Sequence, residues 1–480
     1  MNGDLQHTGL YIDGRWRDSS DKQRFCVWDP ARESAIADVA SATVRDALDA
    51  VESAHAALPS WSARAPRERG EILRRAFELM RERRESIARL IVLENGKALR
   101  DARAEVDYAA EFFRWYGEEA VRGLGEISRA PASNNRIMVL LQPVGVSVLV
   151  TPWNFPAAMA TRKIGPALAA GCSVILKPAS ETPLTALLVA SILEEAGVPA
   201  GVVNVVPSTN SRRIVAAMLH DPRVRKLSFT GSTEVGRSLL LQAADCVVNC
   251  SMELGGNAPF IVLEDADLEA AVQGAMVAKM RNGGQACTAA NRFYVHAKVH
   301  SEFAERLSRA MQGLRVGNGL DEEVELGPLV NAAGRDTVHS LVEEAVTAGA
   351  RVLTGGRALP GPGFFYAPTV LADVPANSRI LNEEIFGPVA PLVAFESEEE
   401  VVGLANATEY GLVSYLYTRD LKRGLRLAER LEYGMVGLNR GLVSDPAAPF
   451  GGVKQSGLGR EGAHDGLLEF LEKKYVSLEW

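Results

Sequence analysis

The sequence predicts an α/β protein made of two open, parallel-sheet blocks in succession, and three observations carry that prediction. After Val144, short β-branched runs alternate with helical stretches. Those runs are apolar on both faces, as strands covered by helices on each side are. The rhythm breaks at Glu253–Pro259 and then resumes, so one block ends there and a second begins.

Taken in chain order, Leu48 to Leu93 reads as helices. Pro66 suits a first helical position, where its missing N–H costs nothing, and Ile72, Ala76, Leu79 and Ile87 fall on one stripe. The Arg and Glu crowded between Arg67 and Glu85 read as a solvated face of interleaved charges rather than a basic patch. The first block places strands at VGVSVLV (144–150), SVILK (173–177), VVNVV (202–206) and KLSF (226–229), with helices between them stopped by Gly171 and Gly197. The second places FIVLED after Pro259, a helix over 267–281, RFYVH, a helix near 299–314, and strands at 389–395, 412–418 and 434–439. The tail LLEFLEKKYVSLEW ends in an alternating run, an edge strand that either pairs with another subunit or folds back on its own chain.

Composition narrows the function. A chain of 480 residues, 47% apolar and 23% charged, suits two or three globular domains and excludes a disordered or disulfide-framework protein. Its net charge of −8 repels phosphate backbones, so no nucleic-acid partner is expected. Cys26, Cys172, Cys246, Cys250 and Cys287 form an odd, sparse set that fits a reducing compartment and completes no zinc site, so no metal is expected. Cys246 and Cys250, four apart, read as two buried small residues that could share a helix face. The segment MNGDLQHTGLYIDGRW lacks the pattern of a secretory signal, and no run of about 18 apolar residues occurs, so a cytoplasmic protein without a membrane partner is expected.

Four features lie at strand ends or in loops, where open α/β sheets bind ligands. Thr151–Pro156 (TPWNFP) follows an apolar strand and holds the Asn154 amide between two prolines, fit either to donate to an oxyanion or to close an Asx turn. Phe229–Gly236 (FTGSTEVG) runs from strand through Gly231 into a helix whose N-terminus suits a phosphate, although G-x4-G is not the usual G-x-G-x-x-G. In Met252–Asn257, Glu253 sits beside two glycines in apolar company, which raises a carboxyl pKa and suits a general base or a plain acidic turn. In Asn282–Thr288, Cys287 is a loop thiol among small residues, either reactive or structural. Together they supply a nucleophile, a base, an oxyanion donor and a dinucleotide site, the set needed to oxidise an aldehyde through a thioester. A thioesterase-like hydrolase would share Cys287, Asn154 and Glu253 but would need no cofactor site.

Through TPWNFP, LKPAS, FTGSTEVG, MELGGNAPF, GGQACTAANR, EEIFGP and PFGGVKQSGLGRE, in that order, the chain resembles the aldehyde dehydrogenase superfamily over nearly its whole length. Within it, WNFPAAMATRKIGPALAAGC, the Arg281-Asn282 step and the Gly441–Ser444 turn resemble the succinate-semialdehyde branch. The resemblance implies an NAD(P)-binding domain over 1–122 and 143–253, a catalytic domain over 254–440, and an oligomerisation flap over 123–142 and 460–480 in a homo-oligomer built as a dimer of dimers. It implies Cys287 as nucleophile and Glu253 as base, a base that coenzyme-A-acylating relatives usually lack. Implied cofactor contacts are Trp153, Asn154, Lys177, Ser180, Gly231, Ser232, Leu254, Glu384 and Phe386, with Glu384 on the nicotinamide ribose. Phe155 and Phe450 would wall a tunnel in which Arg162, Arg281 and Ser444 take the carboxylate of the substrate; the alternative is that the arginines only cap or salt-bridge helices. Ser180 stands where NAD-selective relatives commonly carry Glu, which leaves room beside Lys177 for a 2′-phosphate and points to NADP in preference to NAD, with neighbouring Glu181 opposing. Succinate and glutarate semialdehydes differ by one methylene, worth only ~1–3 kcal/mol in a pocket, and both remain open as substrates.

Overall fold

A computed structural model describes residues 7–479. Residues 1–6, which open the expected cofactor domain, and Trp480, which closes the expected last strand, lie outside the described residues.

The first sheet has eight strands, and its five central ones are parallel. Across the sheet they run Val203–Val205, Val174–Lys177, Val146–Val150, Val224–Thr230 and Asn249–Glu253. In chain order that is 3-2-1-4-5, so the winding reverses between Val146–Val150 and Val224–Thr230, and the loops leaving those two strands frame a crevice. Every residue of Val146–Val150 is buried, as an all-apolar run between two helical layers requires. The helix Pro156–Ala170 that follows is buried along its whole length. Its small residues let it lie close under Leu99–Glu119; a Cβ at Gly165 would stand 3.1 Å from the Tyr116 ring.

A second, seven-stranded sheet follows, with Ala258–Val262 and Ala290–His296 at its centre and six parallel strands in all. The predicted elements fall where expected to within a few residues, including Leu268–Met280, Ala297–Gln312 and Val389–Phe395. A three-stranded antiparallel sheet stands apart, formed by Glu126–Arg129, Arg136–Pro143 and Leu471–Leu478. The tail therefore folds back, paired along its full length with its own chain, and leaves Ile127 and Tyr475 exposed.

Three differences from the sequence reading have physical causes. The strands Leu10–Ile12, Arg15–Arg17, Arg24–Asp29 and Ser34–Ala40 precede the helices and were not expected; three of the four carry exposed or half-buried residues that blur any apolar pattern. The first helix starts earlier, at Val44, where Thr43 and Asp46 form a reciprocal capping box. Cys246 and Cys250 are not two buried residues on one helix face. Cys246 is exposed in the turn after Thr233–Ala244, where Val247 takes φ 52°, and Cys250 lies half-buried on the next strand.

Candidate active site

The crevice at the winding reversal opens into a cavity of about 240 Å³ between the two parallel sheets. Trp153, Asn154, Phe155, Arg162, Gly231, Ser232 and Leu254 line it from the first sheet's side, and Arg281, Cys287, Glu384, Phe386, Ser444 and Phe450 from the other. Three residues singled out in the sequence do not line it. Glu253 lies buried behind the wall, Ser180 borders a separate cavity of about 580 Å³, and Lys177 is buried at a strand end.

Cys287 is brought there by a run of left-handed backbone. Asn282, Gly283 and Gly284 take φ of 51°, 61° and 77°, and a Cβ on Gly284 would lie 2.2 Å from the Gly387 carbonyl. The chain thus turns in place and delivers Cys287 just before the Ala290–His296 strand. Gly256 completes the approach, since a Cβ there would meet the Cys287 carbonyl at 2.3 Å. Burial pushes the thiol up to about 12; the Arg162 charge opposes this and the Glu253 charge adds to it.

Asn154 donates one amide N–H to the Gln285 carbonyl (3.2 Å), which ties the Thr151–Phe155 loop to the cysteine loop. Glu253 ends its strand with neither carboxylate oxygen hydrogen-bonded among the described residues. Gly451 leaves it room, a Cβ there lying 2.8 Å from Oε1. Burial, and next the nearby Glu461 charge, hold this carboxyl well above the ordinary range.

Two arginines stack on the two aromatic walls. Arg281 lies 4.7 Å from the centre of the Phe155 ring, half-buried, and among the described residues it forms no ion pair. Arg162 lies 4.3 Å from the centre of the Phe450 ring but is buried and paired with Glu461, which also holds Lys163. Both sequence readings of the arginines therefore meet in Arg162, which faces the cavity and salt-bridges at once. Tyr108, Phe155, Arg281 and Ser444 also border an outer cavity of about 530 Å³, so the passage continues outward past Arg281.

The cofactor residues follow the crevice. Ser232 caps the Thr233–Ala244 helix, and Gly231 packs on the Phe229 ring so tightly that a Cβ would lie 2.5 Å from it. Burial lowers the Lys177 ammonium to about 8, with Glu181 opposing, and among the described residues it has no hydrogen bond or ion pair. Ser180 donates to Glu181 (3.2 Å). Glu384 accepts from the Gly256 N–H (3.3 Å), and burial lifts it to about 7. Phe386, at φ 52°, sets its ring edge-on to Trp153 at 5.5 Å. A buried ammonium without an ion-pair partner among the described residues and, at another strand end of the same sheet, a capped helix N-terminus each suit a dinucleotide phosphate.

The sequence reading missed Tyr108, Met159, Lys163 and Glu461. The first three lie on helices, where their spacing is that of ordinary core residues, and Glu461 closes the PFGGVKQSGLGRE stretch shortly after Phe450, its partners Arg162 and Lys163 being far away in sequence. No group of three or more His, Cys, Asp or Glu suited to a metal occurs among the described residues, and no helix there is long and apolar enough to cross a membrane.

Comparison with known proteins agrees with this arrangement. The profile of the aldehyde dehydrogenase family matches residues 16–476. A succinate-semialdehyde dehydrogenase of Paenarthrobacter nicotinovorans is 56% identical over 92% of this chain and 98% of its own length. A glutarate-semialdehyde dehydrogenase of Pseudomonas aeruginosa is 48% identical over 98% of this chain and 97% of its own. The crystal structure of an NADP-dependent enzyme of Escherichia coli superposes with a TM-score of 0.98 at 47% identity, covering 99% of both chains.

Proposed function

The chain belongs to the aldehyde dehydrogenase family, and from that premise we propose that it oxidises an ω-carboxy aldehyde, succinate semialdehyde or its glutarate homologue, to the dicarboxylic acid with NAD(P). The observation that carries the substrate class is Arg281, a cation without an ion-pair partner among the described residues, set at the passage that leads to Cys287. A charged hydrogen bond from such a group is worth ~1.5–3 kcal/mol, enough to select a carboxylate-bearing aldehyde. Ser444 adds a hydroxyl on the same wall.

In this reading Cys287 Sγ attacks the aldehyde carbon. In its buried wall the sulfur is a thiol that gives up its proton to solvent as it attacks, and the Arg162 charge is the neighbour that most favours the thiolate. The second Asn154 amide N–H and the Cys287 backbone N–H receive the oxyanion. A nicotinamide, when bound, would supply the hydride acceptor by which the hemithioacetal on Cys287 becomes a thioester. Trp153, Gly231, Ser232, Leu254, Glu384 and Phe386 would hold that ring end, while Lys177 and Ser180 would take the ribose and its phosphate, with NADP preferred. Glu253 then removes a proton from water, hydroxide adds to the thioester carbon, and Cys287 leaves as the acid is released. The reading extends to a cytoplasmic homo-oligomer assembled through the 123–142 and 460–480 flap.

One initial-rate panel tests the proposal. Succinate semialdehyde, glutarate semialdehyde and butanal are each assayed with NAD and with NADP. The carboxylated aldehydes should win by about tenfold or more in kcat/KM. Equal rates on butanal would overturn the substrate class, and thioester hydrolysis without cofactor turnover would favour the hydrolase.

A further inference from the structure

Lys97 and Glu105 form an ion pair with both side chains wholly buried, 2.5 Å apart. Replacing such pairs by apolar residues is often neutral or stabilising, so stability alone does not explain a pair in this core. Its neighbours suggest another reason. Lys97 Nζ also donates to the Asn154 carbonyl (2.7 Å) and rests 4.1 Å from the centre of the Phe155 ring. Glu105 Oε1 accepts from the Ala157 and Ala158 N–H groups (2.9 and 3.3 Å), which pins the helix that begins just after Asn154.

The Asn154 carbonyl has a second donor, Asn282 Nδ2 (2.9 Å). The same Asn282 amide donates to the Gln285 carbonyl (3.1 Å), which is also the acceptor of the Asn154 side chain (3.2 Å). The Asn154 backbone and side chain are thus closed into one buried ring of hydrogen bonds with the cysteine loop. Asp101 Oδ2 accepts the Asn282 N–H (2.9 Å) and sits one helical turn before Glu105. One face of the Leu99–Glu119 helix therefore anchors both walls of the nucleophile's surroundings.

We propose that Lys97 is a positioning residue for the oxyanion donor: anchored on Glu105, it fixes the Asn154 carbonyl and with it the angle at which the Asn154 amide meets the carbonyl oxygen of the substrate. This rests on the assignment of Asn154 given above. The competing account is that Lys97 only neutralises Glu105.

A cycle of full-length variants separates the two. Glu105→Gln keeps the acceptor for Ala157 and Ala158, and Lys97→Met with Glu105→Gln removes the charge pair together with the donor to Asn154. The double variant should fold, bind cofactor normally and keep its aldehyde KM within about threefold, while kcat and the rate of the reduced-cofactor burst fall about 30- to 300-fold. Glu105→Gln alone should cost less than about fivefold. In an Asn154→Ala background the same double substitution should cost less than about threefold, because the donor it positions is already gone. If the double variant unfolds, Lys97→Leu with Glu105→Gln, which also lacks the donor, enters the same cycle with the same readouts. A kcat within threefold of wild type, an undiminished loss in the Asn154→Ala background, or an equal loss from Glu105→Gln alone would each overturn the proposal. An unchanged kcat in Asn154→Ala itself would instead remove the oxyanion assignment on which it rests.

Discussion

The two parallel sheets offer opposite edges to the same cavity. From the first, the contributing residues follow the strands: Asn154 after Val146–Val150, Gly231 after Val224–Thr230, Leu254 after Asn249–Glu253, with Glu253 buried behind it. From the second they precede the strands: Gly255 before Ala258–Val262, Cys287 before Ala290–His296, Glu384 before Val389–Phe395. The first arrangement is the general one for open α/β sheets, whose ligands bind at the carboxyl ends of strands. The second is not, and it shows what joining the domains in this way achieves. The chain crosses from one sheet to the other at Glu253–Ala258, so the end of one sheet is laid against the beginning of the next. Groups of fixed geometry then face each other across one dry gap.

The comparison makes the two edges separable by mutation. The largest effect should come from the second sheet's edge: Cys287→Ala should lower turnover by about four orders of magnitude or more while cofactor affinity stays within about threefold. Steady-state rates and fluorescence titration of the cofactor check both halves. Turnover within tenfold of wild type would mean that the two edges do not share one reaction centre.

Next comes the first sheet's Glu253. In the proposed order hydride departs before the base acts on water, so Glu253→Gln should yield one full burst of reduced cofactor and then a steady state about 10²- to 10⁴-fold slower. Burial and Glu461 hold this carboxyl above the ordinary carboxylate range. Below that raised value the base is protonated and idle, so wild-type kcat should climb with pH to a point well above 4.3, the ordinary value for Glu. A flat profile from pH 5 to 9, or a linear progress curve at wild-type rate in the Gln variant, would contradict the role.

The contrast also explains what the sequence could and could not reveal. Strands apolar on both faces, glycine-stopped helices and residues just after strands follow general rules, and the elements of the first parallel sheet were legible through them, whereas their 3-2-1-4-5 order is set by packing and left no mark in the pattern. The cysteine loop was visible because Asn282–Gly284 must adopt left-handed backbone, and Gly-Gly marks such a turn. The N-terminal strands were hidden because Leu10–Ile12 and Arg15–Arg17 are very short, and Arg24–Asp29 and Ser34–Ala40 are mixed in exposure. Glu461 was hidden because its meaning lies in Arg162 and Lys163, about 300 residues earlier and joined to it only by folding.

That ion pair sharpens the third test, which sets the two arginines against each other. Arg281 forms no ion pair among the described residues, so Arg281→Ala should cut kcat/KM for succinate semialdehyde about 10- to 100-fold and for butanal far less. Arg162 also holds Glu461, and Glu461 bears on Glu253. Arg162→Ala should therefore slow both aldehydes and displace the pH profile of kcat. Equal losses on both substrates for Arg281→Ala would show that it supports the fold rather than the substrate.

The smallest effect should lie farthest from the gap, at the Val174–Lys177 strand end. Burial lowers the Lys177 ammonium to about 8, with Glu181 opposing. Near pH 7 it is charged and able to pair with a 2′-phosphate; above about pH 8 it loses its proton, and the advantage of NADP should shrink. A bound phosphate would raise this pKa, so the loss should appear in the free enzyme, as a KM for NADP that rises between pH 7.5 and 9 while the KM for NAD changes little. Ser180→Glu should have the same sign at constant pH. Ser180 borders a roomy cavity beside Glu181, and a second carboxylate there would repel the phosphate while accepting from ribose hydroxyls. We expect kcat/KM for NADP to fall about tenfold, since one charged hydrogen bond is lost and a like charge added. The value for NAD should fall less or rise, and kcat at saturation should hold, because nothing at the Cys287 end has moved. A parent enzyme with higher kcat/KM on NAD than on NADP would reverse the proposed preference, and a drop in kcat with both cofactors would mean that this strand end and the nucleophile are coupled after all.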